Sequence, residues 1–456
     1  MVQNFPGGKY AIAQQLILLQ IEAEEKYPLK MNYVRFLNAT SLARKPSPIR
    51  VLTGIVLQSP PSLISMASGM PNAELFPIKE ASLTLSDGSK LNVDNALLKK
   101  GLQYSATPGL PEMLKWLKGI QQKVHNPPSL GISDENKQLD FLVTSGSQDG
   151  LCKVFEAFVS PGDNILMEIP AYAGTLSIVR PLRANILGVQ ADKDGIIPES
   201  LRKCLSKWSP SDAQDPSSDI PKVLYCIPNG GNPTGSGLTL DRKREIYSIA
   251  QEYDLVIMED DPYFYLQFAK PYIPSFLSMD VDGRVMRFDS LSKLLSSGVR
   301  VGFLSGPKML VNRIALHMQV SVVHVSGMSQ ALLVPILETM GFDGFLKHAQ
   351  NVADFYEKKR DMCLTAAEKH LKGLAEWSVP SGGMFLWLKL PGISDTFKMI
   401  SEKAREKEVL FVPGNAFMPD DTAPCQYVRA SYSLVSAEDM DKAFERLAAL
   451  IREEQT

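Results

Sequence analysis

Short apolar runs rich in β-branched residues recur along the middle of the chain, and small or polar residues follow each of them. The runs lie at 141–144, 223–227, 255–258 and 285–288. Their length and composition are those of buried strands. After the first run, a predicted loop at 145–150 leads into apolar positions spaced as one helix face over 151–159, and a second helical pattern covers 241–254. Strands that alternate with helices predict an α/β fold with a largely parallel sheet.

The pattern changes toward the carboxyl end. Residues 384–390 alternate like a half-buried strand, and Ser436 precedes a helical pattern with apolar positions at 440, 443, 444, 447 and 451. These elements no longer follow the strand–helix repeat. Since 456 residues exceed what one hydrophobic core usually organises, we predict a large α/β domain and a smaller α+β domain.

Composition and charge exclude several classes of protein. The chain has 48 Lys and Arg against 50 Asp and Glu, a formal net charge of −2, which argues against a protein that coats nucleic acid or anionic membrane. No apolar stretch is long enough to span a bilayer. The five scattered cysteines fit free thiols better than a disulfide framework. The histidines show no HExxH spacing, so no metal site is expected.

The first 50 residues divide into two parts. Glutamines interrupt the apolar run at 11–21 and glutamates follow it, which favours a short amphipathic helix or a disordered extension over a secretory signal. Residues 31–50 carry four basic side chains, several hydroxyls and no acid, a composition typical of a mitochondrial presequence. Met31, at its head, is an alternative start. We therefore expect the mitochondrial matrix, with the cytoplasm as the alternative.

Polar side chains come directly after four of the predicted strands. They are Ser147 and Gln148, Asn232, Asp260, and Lys293. In an open α/β sheet, ligands bind outside the carboxyl ends of the strands. These side chains are therefore expected to form one site at that edge of the sheet.

Lys293 follows an apolar strand and lies among hydroxyl side chains, with Arg300 seven residues later. A lysine in that setting can form a Schiff base with an aldehyde cofactor, while the hydroxyls and the guanidinium hold a phosphate. The alternative is an ordinary loop lysine. Ser290 and Lys293 also match the S-x-x-K of serine acyltransferases, but the S-D-N and K-T-G tripeptides of those enzymes do not occur, which excludes that alternative.

Asp260 closes a buried strand, where a carboxylate needs a partner. A protonated pyridine nitrogen is one such partner, and a helix cap or a metal ligand is the alternative. The pattern does not decide whether Asp260 or Asp261 faces inward. Tyr263, two residues past this pair, can bring a phenol to a cofactor oxygen.

Three further residues have both a functional and a structural interpretation. Asn232 opens N-P-T-G, which is a good turn by itself, yet its amide can donate to the same cofactor oxygen. Tyr172 can stack on a heteroaromatic ring or belong to the core. Arg429 is a cation in an alternating apolar segment, where it either binds a substrate carboxylate or forms a structural salt bridge.

Five motifs in this order resemble those of the fold-type-I pyridoxal-phosphate aminotransferases, and the resemblance runs from about Met31 to the end. They are the N-P-T-G loop at 232–235, Asp260-x-x-Tyr263, S-x-S-K at 290–293, Arg300 and Arg429. The resemblance implies an α/β large domain over 76–345 with a mostly parallel seven-stranded sheet flanked by helices. It also implies a small α+β domain from 46–75 and 346–456, and an extension and arm over 1–45.

The resemblance also implies roles for individual residues. Lys293 is the expected catalytic residue, which carries the cofactor pyridoxal 5′-phosphate and then moves a proton. The expected cofactor-binding residues are Ser147, Gln148, Tyr172, Asn232, Asp260, Tyr263, Ser290, Ser292, Lys293 and Arg300, with Tyr104 from the neighbouring subunit of a homodimer. The expected substrate-binding residues are Arg429, Gly69, Arg50, Tyr172 and Asn232.

The implied reaction moves an amino group from kynurenine or 2-aminoadipate, and from other amino acids, to 2-oxoglutarate by a ping-pong mechanism. Two alternatives stay open. One is a β-lyase or decarboxylase of the same fold. The other is a cofactor-binding regulatory protein without turnover, which usually carries a helix-turn-helix module; the extension of roughly 30 residues is too short and too acidic to supply one.

Overall fold

The computed structural model describes residues 31–60, 62–67 and 69–455. The strands within them are β1 (Ser82–Thr84), β2 (Lys90–Asn92), β3 (Leu139–Thr144), β4 (Asn164–Ile169), β5 (Asn185–Asp192), β6 (Gly195–Ile196), β7 (Val223–Cys226), β8 (Val256–Asp260), β9 (Val285–Ser290), β10 (Gly302–Pro307), β11 (Glu376–Trp377), β12 (Phe385–Lys389), β13 (Val412–Pro413) and β14 (Tyr427–Ser431). Eight of them form one sheet in the order β3-β10-β9-β8-β7-β4-β5-β6.

The large sheet is parallel at its centre and has antiparallel pairs toward both edges. β4 pairs in parallel with β5 and β7, β7 with β8, and β8 with β9, whereas β10 runs antiparallel between β3 and β9. Parallel strands buried on both faces consist of nearly continuous apolar residues, which is why the pattern predicted β7, β8 and β9. The expected α/β fold is confirmed. The sheet has one strand more than the seven expected, because the two residues of β6 fold back against β5.

The helices pack against the sheet and against one another. They are α1 (Ala39–Ala43), α2 (Pro48–Gln58), α3 (Asn95–Leu102), α4 (Pro111–His125), α5 (Ser147–Phe158), α6 (Ala173–Val179), α7 (Pro198–Leu205), α8 (Leu240–Glu252), α9 (Lys308–Ser321), α10 (Gly327–Leu371), α11 (Ala404–Glu406) and α12 (Ala437–Gln455). α10 is broken at Gly341, where φ is +59°. No described helix is long and apolar enough to cross a membrane.

Both predicted helices after strands are present, with shifted bounds. The pattern over 241–254 corresponds to α8. The helix predicted at 151–159 is α5, which begins four residues earlier, so the predicted loop at 145–150 is wrong in length. The reason is Gly146, whose φ of +80° turns the chain from β3 into the helix within two residues.

The carboxyl-terminal part has its own antiparallel sheet and its own hydrophobic cluster. The sheet has the order β11-β12-β14-β13, and β12 is the strand predicted at 384–390. α12 buries Met440, Phe444, Leu447 and Ile451 in this cluster, as the helical pattern predicted, while Ala443 packs at its margin. A larger cluster holds the eight-stranded sheet and its helices. The domain bounds implied by the resemblance stay a prediction.

The segment that resembles a presequence is folded from Met31 onward. A 3₁₀ turn over Tyr33–Phe36 inserts its two aromatic rings into the larger hydrophobic cluster. Arg35 Nη1 donates to the Asp254 carbonyl at 2.5 Å, and Tyr33 Oη donates to the Gly283 carbonyl at 2.8 Å. The predictions for 1–30 lie outside the described residues.

Candidate active site

The carboxyl ends of β3, β7, β8 and β9 bring the predicted side chains to one edge of the sheet. Lys293 lies three residues past β9 and is half-buried. Burial, and secondarily the charge of Arg300, lower the pKa of its amine. Within the described part of the chain, no hydrogen bond or ion pair engages Lys293 Nζ, so the amine is available to a ligand.

A cradle for an anion lies beside this lysine. Arg300 donates to the Ser145 carbonyl at 3.0 Å and to Ser292 Oγ at 3.4 Å. Ser147 begins α5, whose first backbone N–H groups and positive dipole end favour a phosphate. A Cβ on Gly146 would overlap the Arg300 guanidinium, so only glycine permits this approach.

Gln148 and Ser290 border the cradle and already have partners. Gln148 Nε2 donates to the Gly174 carbonyl at 3.0 Å, which ties the first turn of α5 to α6. Ser290 Oγ accepts from the Ser292 N–H at 3.2 Å, which bends the chain after β9 toward Lys293. The two side chains therefore shape the cradle as well as border it.

Asp260 presents one unpaired oxygen to the site. Its Oδ2 accepts a hydrogen bond from Tyr225 Oη at 2.8 Å, whereas Oδ1 is buried without a hydrogen-bond partner among the described residues. Burial raises the pKa of Asp260 to about 7. A buried, ionised carboxylate with an unpaired oxygen costs free energy, because it has lost its contacts with water. A protonated pyridine nitrogen is a partner that would offset this cost. The residues present therefore fit pyridoxal phosphate.

The neighbouring Asp261 is paired within the protein, so Asp260 and not Asp261 is the aspartate that faces the site. It accepts from Asn229 Nδ2 at 2.9 Å and from Arg287 Nη1 at 2.9 Å. Arg287 is completely buried and also contacts Glu259 and Asp289. This buried ion cluster fixes the ends of β8 and β9 against each other. Our sequence interpretation missed it, although Arg287 and Asp289 alternate within an otherwise apolar strand.

Asn232 and Arg429 join the two hydrophobic clusters across the site. The Asn232–Pro233 peptide is cis, and Arg429 Nη1 donates to Asn232 Oδ1 at 2.9 Å. The guanidinium carbon lies 4.4 Å from the Phe385 ring centroid and 5.1 Å from that of Phe417. No described carboxylate lies within salt-bridge distance of Arg429, and its Nε is buried without a partner. The alternative of a structural salt bridge is therefore wrong for this part of the chain.

Two tyrosines line the same region. Tyr172 precedes α6, and a Cβ on Gly174 would overlap its ring, so the glycine makes room for it. Tyr263 follows β8 and is buried, with its ring 6.1 Å from Phe385 in an edge-to-face arrangement. Burial, with Asp260 as the next cause, raises the pKa of both phenols. Both remain neutral hydrogen-bond donors near neutral pH.

Three predicted residues lie apart from this group in the single chain. Tyr104 is 51% exposed, with its ring edge-to-face to His324 at 6.0 Å. Arg50, on α2, donates to the Ser105 carbonyl. Gly69 is exposed, with open space where a Cβ would project. None of the contacts described for these three residues reaches Lys293 or Asp260, and their roles stay predictions.

Comparison with known proteins gives the family. Residues 81–447 match the family model for aminotransferase class I and II. The chain belongs to the class I and II aminotransferases. It is therefore a pyridoxal-phosphate-dependent transferase, which confirms the expected family and cofactor. This aminotransferase is 54% identical over 423 residues to the mitochondrial kynurenine/alpha-aminoadipate aminotransferase of Mus musculus, and the match covers 93% of this chain and 100% of the mouse protein.

Solved structures agree with this assignment. Aminotransferase Aro8 of Candida albicans superposes with a TM-score of 0.81 at 29% identity, covering 93% of this chain and 98% of Aro8. A kynurenine aminotransferase of Pyrococcus horikoshii in complex with PMP superposes with a TM-score of 0.71 at 27% identity, covering 93% and 99% of the two chains. The fold-type-I architecture expected from the motifs is confirmed.

Proposed function

We propose that this aminotransferase moves the amino group of kynurenine or 2-aminoadipate, and of other amino acids, to 2-oxoglutarate by a ping-pong mechanism. The identity with the mouse enzyme over nearly the whole chain carries the choice of substrate. The Arg429 guanidinium, which pairs with no carboxylate of the described residues, supports an amino acid as the ligand, because a planar carboxylate can accept two hydrogen bonds from it.

The cofactor would be held from several sides. Asp260 Oδ1 would pair with the protonated ring nitrogen, the Asn232 amide and the Tyr263 phenol would donate to the 3-oxygen, and the Tyr172 ring would stack on the pyridine. The phosphate would be bound by Ser147, Gln148, Ser290, Ser292 and Arg300, and by the partner subunit's Tyr104. When bound, pyridoxal phosphate supplies an electron sink for the charge that develops at the substrate α-carbon.

Lys293 would hold the cofactor covalently and then act as an acid and base. Nζ can take up the proton that leaves the substrate α-carbon only when it is neutral. The lowered pKa of Lys293, caused by burial and then by Arg300, increases the neutral fraction near physiological pH. Nζ would pass that proton to the cofactor carbon that accepts the amino group, and in the second half-reaction it would move a proton from that carbon to the α-carbon of the acceptor oxo acid.

The substrate would be held at both ends. Arg429 binds the α-carboxylate between the Phe385 and Phe417 rings, while Asn232 and Tyr172 border the reacting carbon. Gly69 lies close to the substrate in this proposal, and Arg50 reaches a distal carboxylate such as that of aminoadipate.

A donor panel tests the proposed function. Purified protein is incubated with pyridoxal phosphate, 2-oxoglutarate, and kynurenine, 2-aminoadipate or methionine in turn. Transamination produces glutamate in step with loss of the donor. Loss of kynurenine without glutamate would indicate a β-lyase or decarboxylase, and no turnover with any donor would indicate a binding protein.

Lys293→Ala tests the assignment of the catalytic residue. We expect the variant to fold like the wild type but to lose the visible absorption band of covalently held cofactor, because alanine has no amine to bond the cofactor aldehyde beside the Arg300 cradle. Lys270→Ala is a matched control: Lys270 is exposed and its Nζ lies 3.4 Å from the Tyr272 ring centroid, with its pKa lowered to about 8 chiefly by desolvation, and none of its described contacts reaches a predicted site residue. An unchanged spectrum in Lys293→Ala would contradict the assignment.

Location and assembly complete the proposal. The mouse relative is named as a mitochondrial protein, and the basic composition of 31–50 agrees with that compartment.

We propose a homodimer whose two active sites each include Tyr104 of the partner. The division into a large domain (76–345) and a small domain (46–75 and 346–456) is proposed from the resemblance; the smaller hydrophobic cluster, drawn from residues 363–451, supports a separate core at the carboxyl end.

A further inference from the structure

A tyrosine that the reaction does not use directly holds the carboxylate at the centre of the site. Tyr225 Oη donates to Asp260 Oδ2 at 2.8 Å and accepts from Thr175 Oγ1 at 2.8 Å. All three side chains are buried. Two hydrogen bonds therefore run in series from Thr175 through Tyr225 to Asp260 Oδ2, and Oδ1 of the same carboxylate has no partner among the described residues.

The register of the sheet explains why this tyrosine reaches Asp260. Tyr225 pairs with Met258 across β7 and β8, and Asp260 is two residues further along β8. Side chains two residues apart in a strand project from the same face, so Tyr225 and Asp260 share one. The Phe155 ring, 5.8 Å away and tilted by 55°, packs against the Tyr225 ring. The hydroxyl is thus carried on a fixed ring.

Thr175, where this series of hydrogen bonds begins, also contacts Tyr172, the residue proposed to stack on the cofactor ring. The Thr175 N–H donates to the Tyr172 carbonyl at 3.0 Å in the first turn of α6. Gln148 holds the same turn through the Gly174 carbonyl. One short segment therefore links the residues proposed to contact the ring face, the ring nitrogen and the phosphate.

We propose that Tyr225, oriented by Thr175, is a positioning residue for Asp260: it holds Oδ2 and keeps the carboxylate ionised, so that Oδ1 is directed at the ring nitrogen of the cofactor. The proposal rests on the proposed role of Asp260. A hydrogen bond donated to the charged form of a carboxylate stabilises that form, which a protonated ring nitrogen requires as its partner.

Tyr225→Phe removes the hydroxyl and keeps the ring. Two readouts besides turnover apply: the Kd of the apoenzyme for pyridoxal phosphate, and the nitrogen-15 chemical shift of ring-labelled cofactor, which reports protonation of the ring nitrogen. We expect the Kd to rise by about tenfold and the protonated fraction to fall, because one hydrogen bond to a charged group is lost. Thr175→Val should shift both readouts in the same direction, and Thr175→Ser should retain wild-type values.

Tyr247→Phe is the matched control. Tyr247 is also buried and donates to an aspartate, Asp282, but at the opposite end of β9 from the site. It should lose thermal stability and keep both cofactor readouts. If Tyr225→Phe loses stability yet keeps both readouts, Tyr225 is only structural and the proposal is overturned.

Two further comparisons keep the test decisive. If Tyr225→Phe does not fold, the Thr175→Val and Thr175→Ser pair decides, since equal readouts in the two would overturn the proposal. Asp260→Asn separates the proposal from the function beneath it. Unchanged cofactor readouts in Asp260→Asn would overturn the proposed role of Asp260 itself. If Asp260→Asn changes the readouts and Tyr225→Phe does not, only the proposed role of Tyr225 is overturned.

Discussion

Glu168 is a buried carboxyl group near the end of β4 that the proposed reaction does not use. Its Oε2 accepts from the Ile227 N–H at 3.2 Å, and in the described part of the chain no cation pairs with it. Burial raises the pKa of Glu168 to about 7. Because the pKa is higher in the folded state than in the unfolded state, ionisation of this group destabilises the fold as the pH rises.

Glu168→Gln should therefore stabilise the protein at high pH only. The wild type loses stability between about pH 4 and pH 7 through this group, up to roughly 3 kcal/mol above pH 7, whereas a neutral glutamine can keep the hydrogen bond without the loss. Thermal unfolding at pH 5 and pH 8 measures the difference. Exposed Glu402 supplies the control, Glu402→Gln. An equal effect of Glu168→Gln at both pH values would contradict the prediction.

Arg429→Lys should weaken substrate binding far more than it weakens the fold. A lysine keeps the charge but loses the planar pair of donors and the contact with two aromatic rings. We expect kcat/KM for the amino donor to fall on the order of 100-fold, mainly through KM. Arg202→Lys, at a surface ion pair with Glu252, should leave the kinetics unchanged. A KM within twofold of the wild type would show that another residue binds the carboxylate.

The residues that the sequence predicted best are those whose position follows from a strand end. Lys293, Asp260 and Asn232 each come just after an apolar run, so their convergence could be predicted without knowing the register. Tyr225 and Glu168 could not, because they lie within apolar strands and their contacts depend on which strands are neighbours. The orientation of Asp260 relative to Asp261 likewise depends on the pairing of β8 with β9.

The strand β10 shows why some elements escape a hydrophobic pattern. Three of its six residues are glycine or proline, which disfavour strands by themselves. Gly302 is required there, since a Cβ would lie 2.7 Å from the Asp289 carbonyl oxygen and from the Gly146 carbonyl carbon. This close approach brings β10 beside the anion cradle. The approach is a tertiary contact, so the hydrophobic pattern of the sequence could not predict it.

The amino-terminal arm is part of the fold from Met31, although its composition is typical of a cleavable presequence. Phe36 is 0% exposed, whereas Val34 is 49% exposed. Phe36→Ala should therefore lower the free energy of unfolding by about 3–5 kcal/mol, because it leaves a cavity in the larger cluster, while Val34→Ala should change it little. Denaturant unfolding measures both, and equal effects would mean that the arm does not pack as described.

The same packing predicts which residues the mature protein keeps. A chain that begins at Ser47 should unfold at a lower temperature than one that begins at Met31, since it lacks the buried Tyr33 and Phe36. Mass spectrometry of the mature protein isolated from cells should then find peptides that contain Tyr33 and Phe36. A mature amino terminus beyond Phe36 would contradict this prediction.

In the proposed homodimer, assembly of two chains decides whether each active site is complete. Tyr104 is half-exposed and has no described contact with Lys293 in its own chain, which agrees with a role in the partner's site. Exposed apolar side chains such as Ile64 (92%) and Met66 (98%) lie in the segment after α2 and could be covered by a second copy.

Mixing two inactive variants tests this arrangement directly. If Tyr104 acts across the interface, a heterodimer of Lys293→Ala and Tyr104→Ala chains combines both defects in one site and restores the other. Random pairing in a 1:1 mixture then regains about a quarter of the wild-type activity, since half of the dimers have one intact site of two. If Tyr104 acts within its own chain, no site is intact and the mixture stays as inactive as its parents. Subunit exchange is verified with differently tagged chains, so that a failure to mix is not mistaken for a site within one chain.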